Sequence, residues 1–246
     1  MKRFAVLLGF LLSILGVDYA RSADLPLPGG PVPPSSYYPV SAPINWGGVY
    51  IGLNGGYGFG HSNWADTTAS TGNFNVNGGL FGGTLGVNYA GFGDWVLLGF
   101  EGDFDWSGVK GSTNNCAVLG VGEITGSTCT TNFDWLATFR LRAGYTLSHF
   151  LFYATAGGAA GNPRLSDSTG NNINPTASLG WTAGGGIEYL FTDAISAKIE
   201  YLYVDLGKIS CPPGALCSAD STTVSDGSVT FTESLIRVGV NYKFSW

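Results

Sequence analysis

The most constraining feature of this sequence is an alternation of apolar and polar residues that recurs in eight segments between residues 46 and 246. In the last segment Ile236 and Val238 flank Arg237, and the period of two continues to Trp246. Such alternation is typical of a β-strand with one apolar and one polar face. We therefore predict eight strands. Short turns are expected near 90–94, 146–149 and 192–194, and long polar loops near 61–76, 107–131, 162–176 and 207–228.

An even number of strands, joined alternately by short turns and long loops, is the layout of an outer-membrane β-barrel. Predicted strands of about a dozen residues exceed the roughly 9–11 needed to cross a bilayer at a tilt. No apolar run in the sequence reaches the roughly 18 residues of a membrane-spanning helix. The predicted fold class is all-β, an eight-stranded antiparallel up-and-down transmembrane barrel. Its first and last strands should pair, because hydrocarbon offers no partner to a free backbone amide.

A secreted, soluble barrel of the lipocalin type would show the same alternation, with its apolar face inside. Two observations favour lipid on that face. The apolar face carries almost no ionisable residue, and a basic side chain facing lipid costs about 2–4 kcal/mol at the middle of a bilayer. Aromatic residues also collect near both ends of the strands, as they do at membrane interfaces. We place Trp46 in the short-turn group and Phe133 in the long-loop group.

The polar face should line a narrow lumen, because eight strands leave an interior just wide enough for side chains. Charged residues form only 11% of the chain, less than half of the usual share of about 25%, yet they recur in the middle of this face. The predicted lumen charge network consists of Glu101, Asp103, Asp105, Arg140, Arg142, Glu188, Lys198, Glu200 and Arg237. These charges either neutralise one another and plug the lumen, which we favour, or form a gate for ions.

The beginning of the sequence resembles an export signal. Lys2 and Arg3 precede an apolar stretch over 4–17, and Ala20 and Ser22 are the small residues of a cleavage site. We predict a signal peptide over 1–22, a proline-rich periplasmic segment over 23–45 and the barrel over 46–246. Cleavage after Ser22 leaves eight basic and sixteen acidic residues. This acidic balance lacks the basic footprint of a nucleic-acid-binding protein.

Four cysteines form two pairs that are close in sequence, Cys116 with Cys129 and Cys211 with Cys217. Export makes disulfides plausible, although four cysteines permit three connectivities. We predict one disulfide within each pair. A metal site is the competing interpretation, but the cysteines lack nearby histidine and a repeated C-x-x-C motif, so we predict no metal or cofactor.

A catalytic role would have to start from His61, because Ser62 and Asp66 lie close to it in the sequence. An enzyme at the rim of the barrel is therefore one alternative. Adjacent residues of a strand point to opposite faces, however, so Ser62 and His61 would be separated if the strand continues. We predict that the protein is not an enzyme.

Several motifs resemble a known family. They are Ala23–Pro26, Trp46–Gly52, Gly180–Tyr189, Lys198–Gly207 and Arg237–Phe244. Together they are similar to the small outer-membrane immunogenic proteins of alphaproteobacteria, often called porin-family outer-membrane β-barrel proteins. The resemblance implies a surface barrel with envelope-stabilising and host-contact roles, shaped like the transmembrane domain of outer-membrane protein A.

The final strand also resembles the signal that the barrel-assembly machinery reads. Its outward residues would be Val238, Val240, Tyr242, Phe244 and Trp246. The chain departs from the family by ending in Trp246, two residues beyond the phenylalanine that is usually terminal.

The expected function is that of a structural, surface-exposed barrel of the cell outer membrane, with at most a narrow pore. A porin that passes small ions or solutes is the first alternative, and the rim enzyme is the second. The expected partners are outer-membrane lipid, lipopolysaccharide, the assembly machinery, and envelope or host molecules at the loops.

Overall fold

The alternating segments form strands in the computed structural model, which describes residues 44–65, 70–91, 95–114, 128–167, 172–173, 177–210 and 227–244. These residues form eight long strands and two short ones. The ten strands are β1 Gly48–Ala65, β2 Phe74–Tyr89, β3 Val96–Ser107, β4 Lys110–Thr113, β5 Cys129–Leu147, β6 Phe150–Asp167, β7 Asn172–Ile173, β8 Ser178–Leu190, β9 Ile195–Ser210 and β10 Ser228–Phe244. No helix in these residues is long and apolar enough to cross a membrane.

The eight long strands close into a ring, as predicted. Each pairs antiparallel with the next long strand, and β1 pairs with β10 from Val49 opposite Phe244 to Ala65 opposite Ser228. The short strand β4 bridges β2 and β5 above the end of β3, and β7 pairs with β6. The closed ring leaves none of the long strands as an open edge, which is the requirement for a sheet in hydrocarbon.

The strands are staggered around the ring. Paired residues followed from Val49 lead back to β1 at Phe59, ten residues further along the strand. The path runs through Val87, Phe100, Leu141, Ala156, Ala183, Tyr203 and Ser234. In a closed barrel the stagger and the strand number together set the tilt and the diameter. A stagger of this size on eight strands gives tilted strands around a narrow interior.

The two faces of the strands point as the sequence predicts. Phe100, Phe139 and Val238 are 49%, 65% and 58% exposed on the outer surface, whereas Glu101 and Arg140 are buried inside. Water-exposed apolar side chains on this scale are unusual for a soluble domain. The outward apolar band therefore matches a lipid-facing surface and excludes the lipocalin-type arrangement.

The polarity of the faces reverses toward the long-loop ends. On β10, Ile236 and Val238 face outward, but Val229 and Phe231 nearer the loop face inward. On β2, Phe74 is likewise buried inside while Asn75 is exposed. Beyond the apolar band the barrel thus has an apolar interior and a polar exterior, like a barrel in water. Strands extend into all four predicted loops, over 61–76, 107–131, 162–176 and 207–228. The prediction missed these extensions because it followed only the outward apolar pattern.

A β-bulge in β5 corrects the position of Phe133, which was predicted in the outer aromatic belt. The register between β5 and β6 shifts between Phe133 and Leu136, so Phe133 points into the lumen and is buried. An extra residue in one strand reverses the facing of every residue beyond it. Pro163 lies opposite Phe133 within β6, although it was expected in a loop. The shifted pairing is where a residue without an N–H is tolerated.

Trp46 was also predicted in an aromatic belt, and this is wrong. Its indole is buried and donates a hydrogen bond from Nε1 to the carbonyl oxygen of Ser148, at 3.2 Å. It packs with Leu97, Leu151 and Leu190 across the short-turn mouth of the barrel. Residue 46 precedes the first strand, so the pleat of the sheet does not determine which way its side chain points.

Glycines on the inner face make room for long side chains on the neighbouring strand. A Cβ added to Gly56 would lie 2.2 Å from the carbonyl oxygen of Ile236 and 2.9 Å from Arg237 Cγ. A Cβ added to Gly86 would lie 2.2 Å from the Tyr50 ring. The neighbouring Gly55 faces outward, where its nearest neighbour would be 3.6 Å away.

Gly56→Ala should therefore destabilise the folded barrel by about 1–3 kcal/mol, the usual cost of overpacking. Gly55→Ala is the matched control on the same strand and should change the free energy of unfolding by less than about 0.5 kcal/mol. Urea titration of both variants in lipid vesicles measures the difference. Equal effects of the two substitutions would contradict the assignment of the inner glycines as space for lumen side chains.

Candidate functional site

The nine residues of the predicted charge network all lie buried in the lumen. They project from five strands, β3, β5, β8, β9 and β10, and β8 contributes only Glu188 to the set. The other strands contribute mostly glycine, threonine or asparagine at the same depth. Around the ring the adjacent charged strands β3 and β5 are separated from β9 and β10 by strands with mostly small inward residues. A narrow lumen can hold the long charged side chains because these small residues leave room for them.

Arg140 is the centre of the network. Its guanidinium donates to Asp103 Oδ2 at 2.5 Å, to Glu101 Oε1 at 2.6 Å and to Glu200 Oε2 at 3.0 Å. Asp103 also accepts hydrogen bonds from Thr84 at 2.7 Å and Thr138 at 2.8 Å. One cation thus joins three carboxylates from opposite walls of the barrel.

Arg237 forms a second centre toward the long-loop end. It contacts Asp105 Oδ2 and Glu200 Oε1, each at 2.6 Å, and Asp103 Oδ2 at 3.3 Å. Lys198 contacts Glu101 Oε2 at 2.8 Å and Glu200 Oε1 at 3.6 Å. Every carboxylate near Arg140 therefore has a second cation beside it.

Arg142 lies toward the short-turn end and is held between two aromatic rings. Its guanidinium carbon is 3.8 Å from the ring centre of Tyr153 and 5.9 Å from that of Tyr50. It pairs with Glu188, which also accepts hydrogen bonds from Ser196 and from Asn241, the latter at 2.9 Å. The Tyr50 hydroxyl donates to Glu101 at 2.7 Å and so joins this group to the rest of the network.

Apolar clusters close the lumen on both sides of the network. The short-turn cluster consists of Trp46, Leu97, Leu151, Tyr153 and Leu190. The long-loop cluster includes Trp64, Phe133, Leu202, Val204 and Phe231, and it reaches around the ring from β1 to β10. Along β9 the inward side chains change from Lys198 and Glu200 to Leu202 and Val204. The lumen is therefore divided into three layers, apolar, charged and apolar.

Three of the carboxylates, Glu101, Asp103 and Glu200, have oxygens within 4.8 Å of one another. Such a group could hold a metal ion in another setting. Here Arg140 is bonded to all three, and Lys198 and Arg237 add further positive charge. The guanidinium of Arg140 neutralises the carboxylates as a metal ion would, so the cluster does not need a metal for charge balance.

Comparison with known proteins agrees with this architecture. Residues 36–244 match the family model described as the outer membrane protein beta-barrel domain. The chain belongs to this family. It is 33% identical to the 31 kDa outer-membrane immunogenic protein of Brucella melitensis over 228 residues, which cover 84% of this chain and 88% of that protein. It is 27% identical to the 22 kDa outer membrane protein of Rhizobium leguminosarum bv. viciae, over 98% of each chain.

Among solved structures, this outer-membrane barrel matches the crystal structure of Neisserial surface protein A. The TM-score is 0.43 and the sequence identity is 14%, over 80% of this chain and 97% of that one. The predicted resemblance to alphaproteobacterial outer-membrane immunogenic proteins is thus confirmed by the family match and the Brucella relative.

The remaining predicted site residues lie partly outside the described chain. Cys129 begins β5 and is buried, but Cys116, Cys211 and Cys217 are not among the described residues, so both disulfides remain predictions. In the assembly signal Val238, Val240, Tyr242 and Phe244 face outward, and Trp246 is outside the described residues. The signal peptide over 1–22 and nearly all of the proline-rich segment over 23–45 are also outside them.

Sequence reasoning missed several lumen groups. Tyr50 and Tyr153 were not assigned to the network. The prediction selected charged residues, and these two tyrosines are uncharged aromatic residues on a face that is otherwise small or polar. Glu233 was missed as well. It is buried near Asp105, and its Oε1 has no hydrogen-bond partner among the described residues. The sequence could have predicted its inward position, because Glu233 lies four residues before Arg237 on β10 and therefore faces the same side of the strand.

Removing the central cation tests the network. Arg140→Met should lower the free energy of unfolding by about 3–5 kcal/mol, because it leaves buried carboxylates without their partner. The loss should be partly recovered in Arg140→Met/Asp103→Asn, which removes one of the stranded charges. Urea titrations of the two single variants and the double variant in lipid vesicles give the coupling, expected at about 0.5–3 kcal/mol. Strictly additive effects would refute a shared network.

Proposed function

We propose that this protein is a structural barrel of the cell outer membrane whose lumen is closed to solutes. The observation that carries the proposal is the ion-paired network enclosed between two apolar clusters. The outer-membrane family supplies the setting, and the filled lumen supports a structural barrel over a pore.

The layers oppose ion passage for two physical reasons. An ion that enters the middle layer has to displace guanidinium–carboxylate contacts as short as 2.5 Å, and breaking a buried ion pair is costly. The same ion must also lose its water beside Phe231 or Leu97 at the two ends, where apolar side chains offer no replacement ligands. Three barriers in series thus protect the lumen.

The network also stabilises the shape of the barrel. Arg140 on β5 links to Glu101 on β3 and to Glu200 on β9, which lies across the ring. The contact with Glu200 cross-links β5 and β9, which share no backbone hydrogen bonds among the described residues. A rigid, filled barrel suits a role in envelope integrity, and the extension beyond the apolar band raises the loops above the lipid for contacts with envelope or host molecules.

A pore for small ions is the second candidate. It is favoured by the charged middle layer, which would attract ions if both apolar clusters moved aside. Conductance measurements separate the two candidates.

In planar lipid bilayers the folded wild-type protein should give no stable conductance steps, because all three layers remain closed. Trp46→Ala, Arg140→Ala and Phe133→Ala each weaken one layer and should also stay closed, because the other two layers remain. Folding is checked in each case by heat-modifiable migration on a gel. Regular conductance steps of the wild-type protein would select the pore.

A rim enzyme finds no support in the geometry around His61. The imidazole of His61 is exposed on the outer face of β1, whereas Ser62 is buried inside. The Ser62 hydroxyl lies 3.2 Å from the Thr131 hydroxyl. A serine nucleophile needs its base within hydrogen-bond reach, and these two side chains point away from each other across the sheet. Asp66 is outside the described residues.

We further propose that the chain is exported with a signal peptide cleaved after Ser22, and that Cys116–Cys129 and Cys211–Cys217 form disulfides. The mature protein should begin at Ala23, as intact-mass measurement of outer-membrane fractions would show. Treatment with a reductant followed by thiol alkylation should add four alkyl groups, and alkylation without reduction should add none. A mature mass that retains residues 1–22, or alkylation without reduction, would contradict the respective prediction.

A further inference from the structure

The basic residues of the barrel divide into two sets. Eight lie between residues 44 and 244, and the segments outside the described residues in this range contain none. Five of the eight, Arg140, Arg142, Lys198, Arg237 and Lys243, are buried inside. The other three, Lys110, Arg164 and Lys208, are exposed on the outer surface. All three lie in the polar extension at the long-loop end, beyond the aromatic belt.

Two of the outward cations belong to one row of residues that crosses four neighbouring strands. Lys110 of β4 is opposite Asn77 of β2 and Asn132 of β5, and Arg164 of β6 is opposite Asn132. Directly opposite residues share a face of the sheet. With strands about 4.8 Å apart, Lys110 and Arg164 stand about 10 Å from each other with an amide between them.

An aromatic group lies directly beneath this row, on the side of the apolar band. Trp106 is paired with Trp135 across β3 and β5. The Trp135 ring stacks on Phe104 at 5.9 Å, and the Trp106 ring stacks on Phe81 at 5.4 Å. Tryptophan marks the level at which acyl chains meet headgroups. The row of cations and amides therefore lies at headgroup level.

The third cation is turned outward by a backbone irregularity. Residues Lys198 through Leu206 of β9 face inward at even positions, and Lys208 would follow them into the lumen. Gly207 instead adopts a left-handed conformation with φ 69°, and the register with β10 shifts between Thr230 and Thr232. Lys208 is consequently exposed and Ile209 is buried. Bulges commonly re-aim a side chain in this way.

Acidic residues in the same band do not cancel these cations. Asp134 contacts Arg164 Nε at 2.5 Å, while 57% of the Arg164 side chain stays exposed. The contact leaves the two terminal guanidinium nitrogens for another anion. Asp205 accepts a hydrogen bond at 2.8 Å from the backbone of Gly207 and so stabilises the turn that exposes Lys208.

We propose that Lys110, Arg164 and Lys208 bind the phosphate groups of lipid in the outer leaflet of the outer membrane. Asn77 and Asn132 provide further hydrogen-bond donors beside Lys110. Charge complementarity carries the inference, because all of the outward cations between residues 44 and 244 lie in the one band where lipid phosphates lie. A cation near an anionic membrane surface contributes about 1 kcal/mol, or roughly a fivefold change in affinity. The site is independent of whether the lumen conducts.

Binding of fluorescent bisphosphorylated lipid A to the folded full-length protein in detergent micelles tests the site. The variant Lys110→Gln/Arg164→Gln/Lys208→Gln should bind this lipid roughly tenfold or more weakly at low salt, and the difference should shrink at high salt because the charges are exposed. The same lipid with its phosphates removed should bind the two proteins equally. Asn75→Gln, an exposed neutral residue in the same band, is the control and should bind like the wild type.

Three outcomes would overturn the proposal. They are equal affinity of the wild type for the two lipids, an unchanged affinity in the triple variant, and full competition by millimolar inorganic phosphate, which would indicate a free-anion site. Heat-modifiable migration verifies that the triple variant is folded. The salt dependence of the wild type alone provides a second test: an affinity for bisphosphorylated lipid A that does not fall as salt rises would also overturn it.

Discussion

The narrow interior of an eight-stranded ring is the constraint on which the rest of this structure depends. Charges inside it cannot reach bulk water, so each member of the charge network pairs with an opposite charge on another strand. Arg140 and Arg237 do this by each reaching carboxylates on two strands at once, β3 and β9. Such long side chains fit only because the strands beside them carry glycine, as Gly56 does beside Arg237. The lumen charges can therefore pair only where small residues on the neighbouring strands leave space for their long side chains.

The long strands pass through two environments, lipid in the apolar band and water in the extension at the long-loop end. In the band that faces lipid, apolar residues point outward and polar residues inward. Beyond the aromatic belt the arrangement reverses, with Val229 and Phe231 inside and Thr230 outside. This reversal has a mechanical benefit, because the extension has a core of its own and does not rely on lipid for stability. It also leaves a polar outer surface at headgroup level, where Lys110 and Arg164 stand.

Much of the fold could be predicted from the sequence because a strand in a membrane has only two faces. A period of two over Ile236–Phe244 is enough to orient that whole segment. The prediction failed where the period itself is interrupted. The bulge in β5 turns Phe133 inward, and the register of β5 against β6 decides its place. Trp46 lies before the first strand, so no pleat constrains it, and packing across the lumen mouth determines its direction.

By itself, the sequence determined the eight long strands, their faces within the lipid band and most of the charges in the lumen, because periodicity and the cost of charge in lipid are local properties. Only the tertiary structure decided which charges pair. Arg237 is far in sequence from Asp105, and the two meet because the ring closes with a stagger of ten residues. The apolar layers on either side of the network are likewise a property of the closed ring. Each is assembled from single side chains on many strands, and no one strand shows that a layer exists.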